Sequence, residues 1–308
     1  MIFKEFTEKH KALWGKHTVQ LGHNLDEHEL FSDAALMELI DKYPRDRYNL
    51  VTMPKPGAPK SFWREGEKGA SSGQDIYEAI ADGQLWINMR AVGEVDKRYD
   101  GVLDGIFDEL KSYMPDFDTF KREMGILVSS PGAQVYYHCD IPGQSLWQVR
   151  GKKKVYVYPN TAPFLPEPSM EQIILGQSEE EIHYEPWFDD YAEIIELEPG
   201  QMLHWPLNGP HRVENLGMLN VSITTEHYTN DIRKQYAVRY ANGLLRERLG
   251  LKNLSSSIDN ASVYPKLALA AAVKFSGLNA GKQVQRMVDF RVDKAAPKGM
   301  IDIPAYAL

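Results

Sequence analysis

The chain has 308 residues, 43% of them hydrophobic and 25% charged, with a formal net charge of −8, an ordinary balance for a globular protein able to bury a substantial core. The acidic balance argues against a general binder of nucleic-acid backbones, and Cys139, the single cysteine, rules out an intramolecular disulfide. The polar start MIFKEFTEKHKALWGKHTVQ and the lack of an apolar run of membrane-spanning length point to a cytoplasmic protein with neither signal peptide nor membrane partner.

His10, His17, His23 and His28 follow one another at spacings of seven, six and five, which match no single helical face and no metal-finger pattern, so they read as surface or loop histidines. Ser32-Asp33 reads as the N-cap of a helix over AALMELIDKYP, with Leu36, Leu39 and Ile40 on its buried side, and Tyr48 to Met53 reads as a strand. Residues 54–74 lack any apolar period and are expected to form a long loop, either mobile surface or a lid over a site. A short helix over DIYEAIA then stops at Asp82-Gly83, ahead of the strand QLWINMRAV. On that strand Trp86, Asn88 and Arg90 share one face, as pocket residues or as a half-exposed polar face. From Asp96 to Met114, Tyr99, Val102, Leu103, Ile106, Phe107 and Leu110 recur at helical spacing, which predicts an amphipathic helix covering a core.

Short strands separated by Gly, Pro and Asn turns follow: GILVSS, AQVYYHCD, SLWQVRG, KKVYVYP, AEIIELE, GQMLHWP and NVSITTEHYT. They predict a β sandwich or barrel over residues 120–228. Residues 1–119 would support it, and 229–308 would add a helical extension broken at Gly243, Gly250 and Gly277, the whole forming one integrated unit. Leu244, Leu245, Leu249 and Leu251 would pack that extension on the barrel or pair two subunits into a homodimer.

Two stretches carry the chemistry. In GAQVYYHCDIPGQSLWQVRG, from Gly132 to Gly151, strand parity puts His138 and Asp140 on one face together with Gln134 and Tyr136, and turns Cys139 to the other. In GQMLHWPLNGPHRVEN, from Gly200 to Asn215, His211 follows a proline-glycine turn, and His204 stands seven residues earlier as a competing ligand. Two imidazoles and one carboxylate from different strands make the facial triad of a non-haem Fe(II) site with open positions. His183 and His227 have no motif around them and read as structural.

These stretches resemble the paired motifs of the cupin superfamily. Five residues separate Gly132 from His138, Asp140 and Gln144 follow, and after six intervening residues comes Gly151; five residues separate Gly200 from Pro206, then come Gly209, His211 and, after three intervening residues, Asn215. Within that superfamily the runs HCDIPGQSLWQVRGKKKVYVYP and EPGQMLHWPLNGPHRVEN are most similar to the JmjC-type branch of Fe(II)/2-oxoglutarate dioxygenases, including the cupin-like asparaginyl hydroxylases. The resemblance implies a mainly β fold with α additions: a double-stranded β-helix (jelly-roll) core flanked by N-terminal α/β elements and a C-terminal helical extension. It implies that His138, Asp140 and His211 bind Fe(II) and that Lys153 pairs with 2-oxoglutarate, because an anion taken into a barrel must be paired. Lys152 and Lys154 would alternate outward, while Thr224, with Ser222 behind it, and Gln144 would supply further polar contacts. The implied reaction uses O2 to hydroxylate a protein, peptide or amino-acid-like substrate, with release of succinate and CO2. A cupin metalloenzyme that does not use 2-oxoglutarate, or a non-catalytic binding protein, is the alternative; histone demethylation is disfavoured because no zinc finger or chromatin-reading module accompanies the barrel.

Between the motifs, residues 161–200 contain Glu167, Glu171, Glu179, Glu180, Glu181, Glu185, Asp189, Asp190, Glu193, Glu196 and Glu198 and no Lys or Arg. The segment reads as a solvated acidic loop, or as a surface that steers a basic substrate with Trp187 and Phe188 as an apolar anchor.

Overall fold

A computed structural model describes residues 1–53, 63–178, 182–276, 286–296 and 299–308. The N-terminal part comprises helix α1 (Glu8–Leu13), strand β1 (Val19–Gly22), helix α2 (Asp33–Lys42), strands β2 (Tyr48–Thr52) and β3 (Glu65–Glu67), helix α3 (Gly73–Asp82), strand β4 (Leu85–Met89) and helices α4 (Val92–Val95) and α5 (Arg98–Tyr113). Local chemistry sets the helix starts. The Ser32 hydroxyl caps α2 by accepting from the Ala35 amide at 3.3 Å, and Ser72 and Asp75 form a reciprocal capping box on α3. The loop expected over 54–74 holds β3 in its second half, while residues 54–62 lie outside the described residues.

Eight strands make the core: β5 (Phe120–Ser129), β6 (Gln134–His138), β7 (Gly143–Arg150), β8 (Lys153–Val157), β9 (Glu193–Leu197), β10 (Gln201–His204), β11 (His211–Asn215) and β12 (Asn220–Tyr228), with helix α6 (Glu167–Ile174) between β8 and β9. Four of them, β10-β7-β12-β5, lie side by side in one sheet, and β6-β11-β8-β9 form the facing four-stranded sheet. The two-sheet sandwich is the expected jelly roll. The larger sheet continues past β5 through β4, β2 and β3 and past β10 to β1.

After β12 come helices α7 (Asn230–Leu249) and α8 (Val263–Ser276), then strands β13 (Met287–Val292) and β14 (Met300–Ala307). Among the described residues the extension is therefore helical up to Ser276 and extended from Met287 on. β13 pairs in parallel with β3 and antiparallel with β14, which takes the larger sheet to ten strands. The break expected at Gly243 is absent: α7 runs through it, because a Cβ there would come within 2.7 Å of the Leu175 side chain and glycine allows the close approach to the end of α6. At Gly250, in the left-handed region at φ 67°, the helix does end. Gly277 lies outside the described residues.

The main core fills the space between the outer face of the larger sheet and α2, α3 and α5, around fully buried Phe31, Leu36, Ile106, Ile126 and Trp147. His23 belongs to this layer and is not a surface histidine: it has no exposure, its Nδ1 accepts from the Leu25 amide at 3.0 Å, Nε2 sits 3.1 Å from the Gln201 carbonyl, and burial lowers its pKa to about 4. A smaller cluster closes the barrel between the sheets, with Leu146, Val155, Leu203, Trp205 and Val213.

Candidate metal centre and cavity

His211 and His138 are cross-strand partners on β11 and β6, so the sheet register sets the imidazoles side by side with ring centroids 4.1 Å apart. Asp140 lies just past the end of β6 and returns to the same face. One ligand atom from each of the three lies within 4.8 Å of the others. His211 Nε2 is 3.4 Å and His138 Nε2 3.9 Å from the Asp140 carboxylate.

The backbone fixes the tautomers. His138 Nδ1 sits 2.7 Å from the Tyr136 carbonyl and His211 Nδ1 3.0 Å from the Gly209 carbonyl, and a carbonyl can only accept, so each Nδ1 carries the proton and each Nε2 presents a lone pair inward. Burial holds the His211 imidazole well below its usual pKa and pushes the Asp140 carboxyl up, against the pull of His138. Two imidazole Nε2 atoms and a carboxylate aimed at one buried point are the donor set of a divalent transition metal, which would offset the penalty that burial places on the carboxylate. With its amide nitrogen turned toward Asp140, Gln144 donates to both carboxylate oxygens, Oδ1 at 3.1 Å.

The three residues open into a cavity of about 770 Å³ between the sheets. Lys153 lines it from β8, is 5% exposed, and its pKa is lowered by burial to about 7; among the described residues its ammonium has no hydrogen-bond or ion-pair partner. Lys152 and Lys154 point outward, to Glu198 and Glu196 respectively. Thr224 lines the cavity from β12, whereas Ser222 is buried and donates to Gln148 Oε1 at 2.7 Å. His204 faces the other way. It is 3% exposed, stacks on Trp14 with centroids 4.0 Å apart, and directs Nδ1 at Ser145 Oγ and the Gln144 carbonyl. Cys139 is buried beneath α6, 3.7 Å from the Met170 sulfur.

Trp86, Asn88 and Arg90 of β4 and its end do line the cavity. Their neighbours there carried no sequence signal: Trp63, whose ring lies 6.2 Å from Trp86 and 5.8 Å from Tyr136, and Arg286 from the far end of the chain. Glu123 and Glu226 also line it, directly opposed across β5 and β12, with Gln144 next to Glu226 on β7.

The acidic segment is a structured cover over the outer face of the smaller sheet. Phe188 is buried with Tyr137, Tyr158 and Phe164, so of the expected apolar pair only Trp187, 46% exposed, reaches solvent. Glu167 and Glu171 pair with Arg239 and Arg246 of α7, and Asp189 with Arg212 at 2.6 Å. Glu179, Glu180 and Glu181 lie outside the described residues.

No protein-family model and no curated protein matches the sequence. Solved structures do match. Escherichia coli YcfD superposes with a TM-score of 0.53 at 17% identity, over 92% of this chain and 71% of YcfD. A complex of YcfD, described as a ribosomal oxygenase, with cobalt and 2-oxoglutarate gives 0.51 at 14% identity over 91% and 69%, and one with cobalt and succinic acid gives 0.50 at 16% over the same shares. What the chain shares with them is the fold, a two-sheet jelly roll with flanking helices.

Proposed function

We propose that this protein is an Fe(II)- and 2-oxoglutarate-dependent oxygenase that hydroxylates a protein or peptide substrate, with His138, Asp140 and His211 holding the metal. The observation that carries the reading is that two imidazole Nε2 atoms and the Asp140 carboxylate share one cavity with the buried ammonium of Lys153, which has no partner among the described residues. When bound, iron and 2-oxoglutarate supply the oxidising power of O2 in return for decarboxylation of the co-substrate to succinate.

The residues of this chain do the rest. Lys153 pairs with the distal carboxylate of the co-substrate and Thr224 donates a hydrogen bond beside it. Gln144 steadies the Asp140 carboxylate, and Leu146, Trp205 and Val213 keep water from the reacting face. Similarity to YcfD, described as a ribosomal oxygenase, supports a protein substrate. Residues 1–119 and 229–308 act with the 120–228 core as one catalytic unit, since β4 and Arg286 supply cavity wall. None of the described helices is long and apolar enough to cross a membrane, and the reading includes a cytoplasmic location.

Succinate release in air, with Fe(II), 2-oxoglutarate and a set of basic peptides, tests this. Wild type should form succinate, and Asp140→Ala and Lys153→Met should not. A wild type that binds metal yet never forms succinate belongs instead with cupin enzymes that do not use 2-oxoglutarate.

A further inference from the structure

The ladder between β6 and β11 fixes His138 against His211, but Asp140 stands beyond the last residue of β6, where no strand pairing holds it. One side chain spans that gap. Asn208, on the turn that leads into β11, is 5% exposed, and its Nδ2 donates to the backbone carbonyl of Asp140 at 2.6 Å and of Ile141 at 3.3 Å. Its Oδ1 accepts from Arg239 of α7 at 2.6 Å, and the remaining guanidinium nitrogens of Arg239 donate to Glu167 of α6 at 3.2 Å. The next residue, Gly209, supplies the carbonyl that orients His211. Asn208 therefore joins the turn that aims His211 to the loop that carries Asp140, and two helices outside the barrel hold the amide in place. Its φ of 57° is in the left-handed region, which asparagine tolerates.

Resting on the metal-site reading above, we infer that Asn208, braced by Arg239, is the positioning residue that sets Asp140 against His211. Neither side chain touches the metal, and both act through the backbone of a ligand. This role makes an unusual demand on position 208, since the left-handed backbone and the amide donor are both required, and two substitutions separate them. Asn208→Gly keeps the left-handed backbone and removes the hydrogen bonds. Asn208→Asp keeps the backbone and the contact with Arg239 but sets a carboxylate against two carbonyls.

The test is Co(II) titration of the whole 308-residue chain, following the visible d–d absorption as well as affinity. Asn208→Gly should bind Co(II) about 10–100-fold more weakly than wild type with an altered d–d spectrum, and Asn208→Asp more weakly still. Arg239→Gln, remote from the ligands, should weaken binding about threefold or more, and it carries the test should the Asn208 variants not fold. Variants that bind within about twofold of wild type with an unchanged spectrum overturn the positioning role. A wild type that does not bind Co(II) overturns the metal site itself, a separate result read before any variant is made.

Discussion

Lys153 carries opposed demands. Burial lowers its pKa from 10.5 to about 7, so between those values the unfolded chain binds the extra proton and stability rises with pH; at and below pH 7 the cost of the buried charge is felt in full. Each unit of that shift corresponds to about 1.4 kcal/mol. Lys153→Met should accordingly raise the melting temperature of the ligand-free protein at pH 6–7, with a gain that shrinks toward pH 10, and should abolish the stabilisation that 2-oxoglutarate gives wild type; thermal melts with and without the co-substrate read both effects. Because the co-substrate needs the protonated amine, its affinity should hold below pH 7 and fall by up to about tenfold per unit above it. The family resemblance together with strand alternation separates Lys153 from its two neighbours in the sequence, and motif spacing separates His211 from His204. Glu123, Glu226 and Trp63 stayed hidden because their places depend on the register between strands far apart in sequence, which no local period records.

Among elements, the helices were the most legible, since the Ser32 cap of α2 and the apolar stripe of α5 are written within a few residues, whereas the Ser72 cap of α3 fell inside the expected loop. The acidic segment was not, because its cations lie outside it, at Lys152 and Lys154 before it and on β11 and α7 after it. Glu171 is 2% exposed and Arg246 is its ion-pair partner at 2.6 Å. Arg246→Ala removes the ion-pair partner of that buried carboxylate and should cost about 3 kcal/mol in chemical denaturation, whereas Glu196→Gln on the exposed edge should cost less than about 1 kcal/mol. α8 has the opposite character: an apolar helix that leaves Tyr264 and Phe275 74% and 87% exposed. On that exposure we propose the second of the two arrangements expected from the sequence, a homodimer through this extension: sedimentation should show a dimer in wild type and a monomer in a Tyr264→Glu, Phe275→Glu double variant.

For the molecule as a whole, the jelly roll was legible because its turns punctuate its strands, and the closure of the two termini was not. β13 meets β3 across more than two hundred residues, and Phe290, fully buried, packs so closely on Gly66 that a Cβ there would overlap its ring. Parallel pairing over such a distance leaves no hairpin signal in the sequence. Arg286, ion-paired to Glu65, brings this C-terminal segment to the wall of the cavity, so the end of the chain shapes the site as well as the sheet.

The central claim, one cavity for a His-Asp-His metal and for 2-oxoglutarate, is tested most directly by adding Fe(II) and 2-oxoglutarate to the protein without oxygen and recording the visible spectrum. A weak charge-transfer band of the chelate that disappears in His211→Ala, and that Lys153→Met forms only at much higher co-substrate concentration, is the predicted result. No band in wild type, or a band unchanged in His211→Ala, would contradict it.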